Sequence, residues 1–173
     1  MRALLLALLL SAASAVTAQE LNPALAPYAA LIGDWAGPAD LMTPSGPLSL
    51  HHTQTVRSDL EGHLLVVEGV SRAVGDDGAP GDISAGTLGV LSVNAATVYL
   101  DAFTMDDRHA RVAPTPVEGG YDWTFEPGGQ ALVTYQMRFD DEGRWVETGR
   151  VSLDGGTSWQ PFFEMTLSRV EAE

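Results

Sequence analysis

Turn-forming residues interrupt this chain at short intervals from Gly33 to its C-terminus. Glu61-Gly62, Asn94-Ala95-Ala96, Glu118-Gly119-Gly120, Pro127-Gly128-Gly129, Asp141-Glu142-Gly143 and Asp154-Gly155-Gly156 all carry the residues that reverse a backbone tightly. The segments between them are rich in β-branched and aromatic residues, the pattern of an antiparallel all-β domain. Strands are predicted over residues 34–41, 48–60, 63–73, 83–93, 97–104, 109–115, 121–125, 131–140, 144–153 and 159–170, about ten in all. The stretch 75–82, rich in glycine and aspartate, reads as a longer mobile loop.

Alternation is cleanest near the C-terminus. Val133, Tyr135, Met137 and Phe139 share one face of a strand, and Thr134, Gln136, Arg138 and Asp140 share the other. One face is therefore buried. Tyr121, Trp123 and Phe125 keep the same parity, as do Phe163, Met165, Leu167 and Arg169. Short meandering hairpins with one apolar face favour an up-and-down β-barrel, because closure removes the sheet edges. Before the first strand, Asn22-Pro23 reads as a helix N-cap followed by proline at the first helical position. A short helix through Leu31, limited by Pro27, would lie across one barrel mouth with Leu25, Tyr28 and Leu31 turned inward.

The first eighteen residues carry a different signal. Arg2 supplies a positive start, residues 3–10 an apolar run, and Val16-Thr17-Ala18 the small-x-small ending of a cleavable signal peptide. The apolar run falls short of the roughly 20 residues that a spanning helix needs. The expectation is an exported protein, periplasmic or extracellular, with one domain over residues 19–173. The chain has no cysteine, which excludes disulfides, thiolate metal sites and cysteine catalysis. Its net charge is -14 and all nine basic residues are arginine. Such an acidic protein repels phosphate backbones, so nucleic acid is not an expected partner.

Gly33-Asp34-Trp35, followed by Gly37, resembles the Gly-x-Trp signature of calycin-type barrels, which include lipocalins, fatty-acid-binding proteins and nitrobindin-like proteins. A closer resemblance is to a family of bacterial lipocalin-like proteins of unknown function. It extends through Leu60-Glu61-Gly62, Leu88-Gly89, the run from Ser152 to Trp159 and a last strand ending in Arg169. The resemblance implies a barrel of about ten strands. It also implies that Arg169 covers Trp35 in a cation–π contact that closes the fold. A nitrobindin-like reading implies haem held by a histidine near the C-terminal end, yet no histidine follows His109, so haem is disfavoured and no cofactor is expected.

Ser152-x-Asp154-x-Gly156-x-Ser158-Trp159 fits the Asp-box pattern and reads as a hairpin staple. His51 and His52 are adjacent in a strand and point to opposite faces, so they do not share an ion. Asp76-Asp77-Gly78 and the acidic turn at Asp140 lack the spacing of a calcium loop, and no metal site is expected. No nucleophile elbow, zinc-protease motif or phosphate loop occurs. The inward parity selects His52, Gln54, Trp123, Tyr135, Met137, Glu147, Phe163 and Met165 as candidate ligand contacts. The expected function is binding of a small apolar or amphipathic molecule inside the barrel, more than catalysis. Two alternatives are a barrel enzyme, isomerase or hydrolase, using Glu147 with His52, and a filled barrel that serves as a scaffold or partner-binding protein. If Glu147 points inward its pKa is raised, unless Arg169 or Arg57 pairs with it. The export expectation predicts that protein recovered from the exported fraction has an intact mass beginning at Gln19. A mass beginning at Met1 would refute it.

Overall fold

The computed structural model describes residues 20–171, so the expected signal segment lies outside the described residues. An N-terminal 3-10 helix, Pro23–Leu31, precedes eleven strands among the described residues. They are β1 (Gly33–Thr43), β2 (Gly46–Asp59), β3 (Leu64–Val74), β4 (Pro80–Asn94), β5 (Thr97–Thr104), β6 (His109–Val112), β7 (Thr115–Val117), β8 (Gly120–Gly128), β9 (Ala131–Phe139), β10 (Trp145–Ser152) and β11 (Gln160–Arg169). All pair antiparallel in one sheet, in the order β6-β5-β4-β3-β2-β1-β11-β10-β9-β8-β7. The sheet is up-and-down and curls into a half-barrel whose two edges, β6 and β7, are consecutive in sequence.

Two details differ from the sequence reading. The expected strand over residues 109–115 is two, β6 and β7, because Pro114 between them lacks an N–H and has a fixed φ. The expected long loop over residues 75–82 is shorter, since β4 begins at Pro80. The remaining turn is tied by Gly75 N–H to the Ala79 carbonyl at 3.0 Å and by Ala79 N–H to Asp77 Oδ1 at 3.0 Å.

The N-terminal helix starts where expected, with Asn22 Oδ1 accepting from Ala24 N–H at 3.0 Å. Its 3-10 geometry, three residues per turn, places Leu25, Tyr28 and Leu31 in one line, and these are its buried residues. That line packs into the end of the half-barrel against Trp35, Trp145, Leu65, Leu91 and Leu167. The Tyr28 hydroxyl donates to the Pro114 carbonyl at 2.9 Å, so the helix ties down the break between the two sheet edges.

Trp35 joins the helix to the sheet. Its indole N–H donates to the Leu31 carbonyl at 2.8 Å, and its rings meet Trp145 and Phe139 with centroids 5.7 and 5.6 Å away. The Arg169 guanidinium lies over it at 4.2 Å and donates to the Ile32 and Ala30 carbonyls at 2.7 and 2.9 Å. Gly33, at φ +138°, leaves the guanidinium the space that a Cβ would fill. The Asp-box turn is also a staple. Asp154 accepts from Ser152 and Ser158 hydroxyls at 2.8 and 2.7 Å and from Ser158 N–H at 2.8 Å, which holds its carboxyl down to about 2. Trp35→Ala should destabilise the fold by about 4 kcal/mol and Arg169→Ala by about 1–2 kcal/mol, read from urea unfolding midpoints. Equal midpoints for wild type and Arg169→Ala would contradict the clamp.

Candidate functional site

Aromatic residues cover the inner face of the half-barrel from β8 to β11. Trp123 pairs across the sheet with Tyr135, Tyr135 with Gly149, and Gly149 with Phe163. Tyr121 and Trp123 stack at 5.3 Å, and Trp123 and Tyr135 at 4.9 Å with their planes 12° apart. Tyr135 then meets Phe162 and Phe163 edge-on at 5.7 and 6.0 Å. A bulge at Gly149/Arg150 admits the additional phenylalanine, because it breaks the strict alternation of β11 against β10. Gly149 makes the space, since a Cβ there would lie 2.9 Å from Phe162 Cε1. Trp123, Tyr135, Phe162 and Phe163 are only partly buried, so this wall is packed laterally and open above.

Glu147 stands below that wall. It pairs with Met137 on one side and Met165 on the other, and is 8% exposed. Burial lifts its pKa from 4.5 to about 7, opposed by one hydrogen bond, from Trp145 Nε1 to Glu147 Oε2 at 3.1 Å. Neither arginine considered from sequence pairs with it. Arg169 is spent on the helix carbonyls, and Arg57 binds Glu68 at 2.8 Å. Among the described residues nothing donates to its Oε1. The hydroxyls of Tyr121 and Tyr135 lie within its electrostatic reach. Burial first and the Glu147 charge second push both phenol pKa values upward.

The wall built by β2 and β3 is polar. The His52 ring is 7% exposed, with Nδ1 at 2.8 Å from the Ser71 hydroxyl and Nε2 at 3.2 Å from Gln54 Oε1. The Gln54 oxygen can only accept, so Nε2 carries the proton and Nδ1 accepts from Ser71. Burial lowers the His52 pKa and keeps the ring neutral. Both ring nitrogens are thereby occupied. Beside this group the wall is made of small residues: Gly69, Ala85, Thr87, Gly89 and Ala102 occupy inward register positions. Thr87 and Ala85 occupy inward positions and are exposed, as are their outward-facing neighbours Ser84 and Leu88.

The sequence-selected residues thus divide into three sets. Trp123, Tyr135 and Phe163 line the open aromatic wall. His52 and Gln54 share the polar wall with Ser71. Met137 and Met165, 0% and 3% exposed, lie in the core that supports Glu147. His52 and Glu147 share no hydrogen bond, each being engaged on its own wall. Sequence reasoning missed Ser71 and Phe162. Ser71 is legible only through the β2–β3 register that sets it against His52, while the Gly149 and Pro161-Phe162-Phe163 combination does hint at the bulge. His109 lies outside, stacked on Phe103 at 4.6 Å and 3.1 Å from Asp101. Among the described residues no group of three or more His, Asp or Glu side chains is placed to hold a metal ion. None of their helices is long and apolar enough to cross a membrane. A cavity of about 230 Å³ beside the helix, lined by Pro27, Leu31, Val117, Gly120, Tyr121 and Phe139 among others, adjoins the β7–β8 turn.

Comparison with known proteins places the fold. The chain is similar to the crystal structure of Rv2717c from M. tuberculosis, with a TM-score of 0.64 and 17% identity over 88% of this chain and 100% of that one. At that identity the likeness concerns the fold, a curled all-β sheet of barrel type. No family model matches the sequence, and no curated protein matches it.

The buried carboxyl generates a pH dependence of stability. Its folded pKa lies above its unfolded value, so the native state holds the proton more tightly between 4.5 and about 7. Stability from this group is therefore greatest below 4.5, declines as pH rises through that window, and is lower by about 3 kcal/mol above it. In Glu147→Gln that decline should vanish, which urea unfolding of both proteins at pH 5 and pH 8 will read. A wild type no less stable at pH 8 than the variant, relative to pH 5, would contradict the buried unpaired carboxyl.

Proposed function

We propose that this chain is an exported calycin-type barrel that binds a small apolar or amphipathic molecule on its inner face. In this reading residues 1–18 are removed on export and residues 19–173 form one closed domain, with the contact between β6 and β8 completing the circle. One observation carries the reading: large aromatic side chains turn inward yet stay partly exposed, opposite a wall of small residues whose inward Thr87 is open to solvent. A filled scaffold would have buried those groups, whereas a binding protein leaves them for its ligand. Fold-level likeness adds the barrel architecture and nothing about the ligand.

No cofactor is assigned. His52 is the inward histidine, and both its nitrogens are hydrogen-bonded within the wall, which weighs against iron ligation. The enzyme alternative, Glu147 acting with His52, is weakened by the same geometry, because proton exchange between them requires direct contact or one bridging water. The acidic charge weighs against nucleic acid.

Native mass spectrometry of protein purified from its own exported fraction tests the reading. The expected result is a retained small-molecule mass that is lost or reduced at least tenfold in occupancy in Trp123→Ala and Tyr135→Ala. A clean apo mass, together with tryptophan emission unchanged across a panel of lipids, would overturn it. A Soret band in the same sample would overturn the assignment of no cofactor.

A further inference from the structure

We propose that Glu147 forms the head-group seat for a cationic amphiphile, a hydrophobic amine, whose chain lies along the aromatic wall. This rests on the ligand-binding reading above and names the class of ligand.

Three observations converge on it. The Glu147 carboxyl is more than nine-tenths buried and keeps one oxygen without a donor among the described residues. That oxygen is not sealed off, since Ser58 Oγ is the one fully buried side-chain polar atom without a hydrogen-bond partner among the described residues, so a ligand's donor can reach it. An ammonium group supplies the missing donor and the opposite charge together. Second, among the described residues the elements packed around Glu147 present no competing cation. β9 contributes Tyr135 and Met137, β8 Tyr121, β11 Met165, and β10 itself Trp145. The nearest mouth cation, Arg108, acts on Tyr135 but is held by Asp106 at 2.8 Å. The other described arginines stand on outward register positions, in turns, or over Trp35. An anionic head such as a fatty carboxylate would meet Glu147 with nothing to neutralise either charge. Third, the net charge of -14 draws cations toward the protein and repels anions.

Binding is coupled to a proton. Below pH 7 the Glu147 carboxyl is mainly protonated, so an arriving ammonium must expel that proton to solvent to gain the ion pair. Affinity for the amine should then fall about tenfold per pH unit below 7, and an uncharged head should show no such slope.

The experiment uses three probes with one chain length: dodecylamine, dodecanol and dodecanoate. Each is titrated into the delipidated mature protein at pH 8 and pH 6 and followed by calorimetry and tryptophan emission. The expected result is that dodecylamine binds at least tenfold more tightly than dodecanoate at pH 8, and loses about tenfold at pH 6. Glu147→Gln should lower amine affinity about tenfold and abolish its dependence on pH between 6 and 8, with an unchanged far-UV circular dichroism spectrum showing that the variant is folded. If Glu147→Gln does not fold, the pH comparison on the wild type decides. Equal affinity for the three heads, or tightest binding of dodecanoate, would overturn the amine assignment and leave the ligand-binding reading standing. Binding of none of them, with no change in emission, would overturn both.

Discussion

The clamp at Trp35 is the contact through which the rest of the molecule is held. One indole receives the helix from above through the Leu31 carbonyl, the last strand from the side through Arg169, and β9 and β10 through Phe139 and Trp145. Because Arg169 also bonds two carbonyls at the end of the helix, the first and last parts of the domain are locked to each other and to the core at one point. Beside it the helix is also held by the buried Leu25, Tyr28 and Leu31 and by the Tyr28 bond to Pro114.

That concentration of packing divides the interior. At the helix end, Leu25, Tyr28, Leu31, Trp35, Trp145 and Leu167 are almost wholly buried. Each contributes on the order of 1.5–3 kcal/mol, so two of them offset the cost of an ionised Glu147. The far end has small residues on one side and partly exposed rings on the other. A fold that draws its stability from one end can leave the side chains of the other only partly buried.

Much of the strand pattern was legible in the sequence, because turn chemistry and period-two alternation are local. Val133, Tyr135 and Met137 could be assigned to one face without knowing what lay beside them, and Asp154 announced its own hairpin. Pro114 was visible too, but the two strands on either side of it were merged into one. The site was legible only in part. The inward turn of Glu147 followed from parity, but its lack of an arginine partner depended on where Arg169 and Arg57 go, and that is a matter of tertiary packing. Ser71 and Phe162 needed interstrand register and a bulge, both of which arise between strands and leave little trace within either one.

The ladder between β1 and β11 joins residues at opposite ends of the chain, as in the bond from Val170 N–H to the Asp34 carbonyl at 2.8 Å. The centre of the sheet is thus its least local part in sequence, and the edges are its most local. Such a chain cannot complete its central pairing until its final strand has been synthesised, and loop-closure entropy makes that pairing slow. Until then β1 pairs with β2 alone, and its other edge has no partner. The strand that closes the centre of the sheet is thus the same one that brings Arg169 over Trp35.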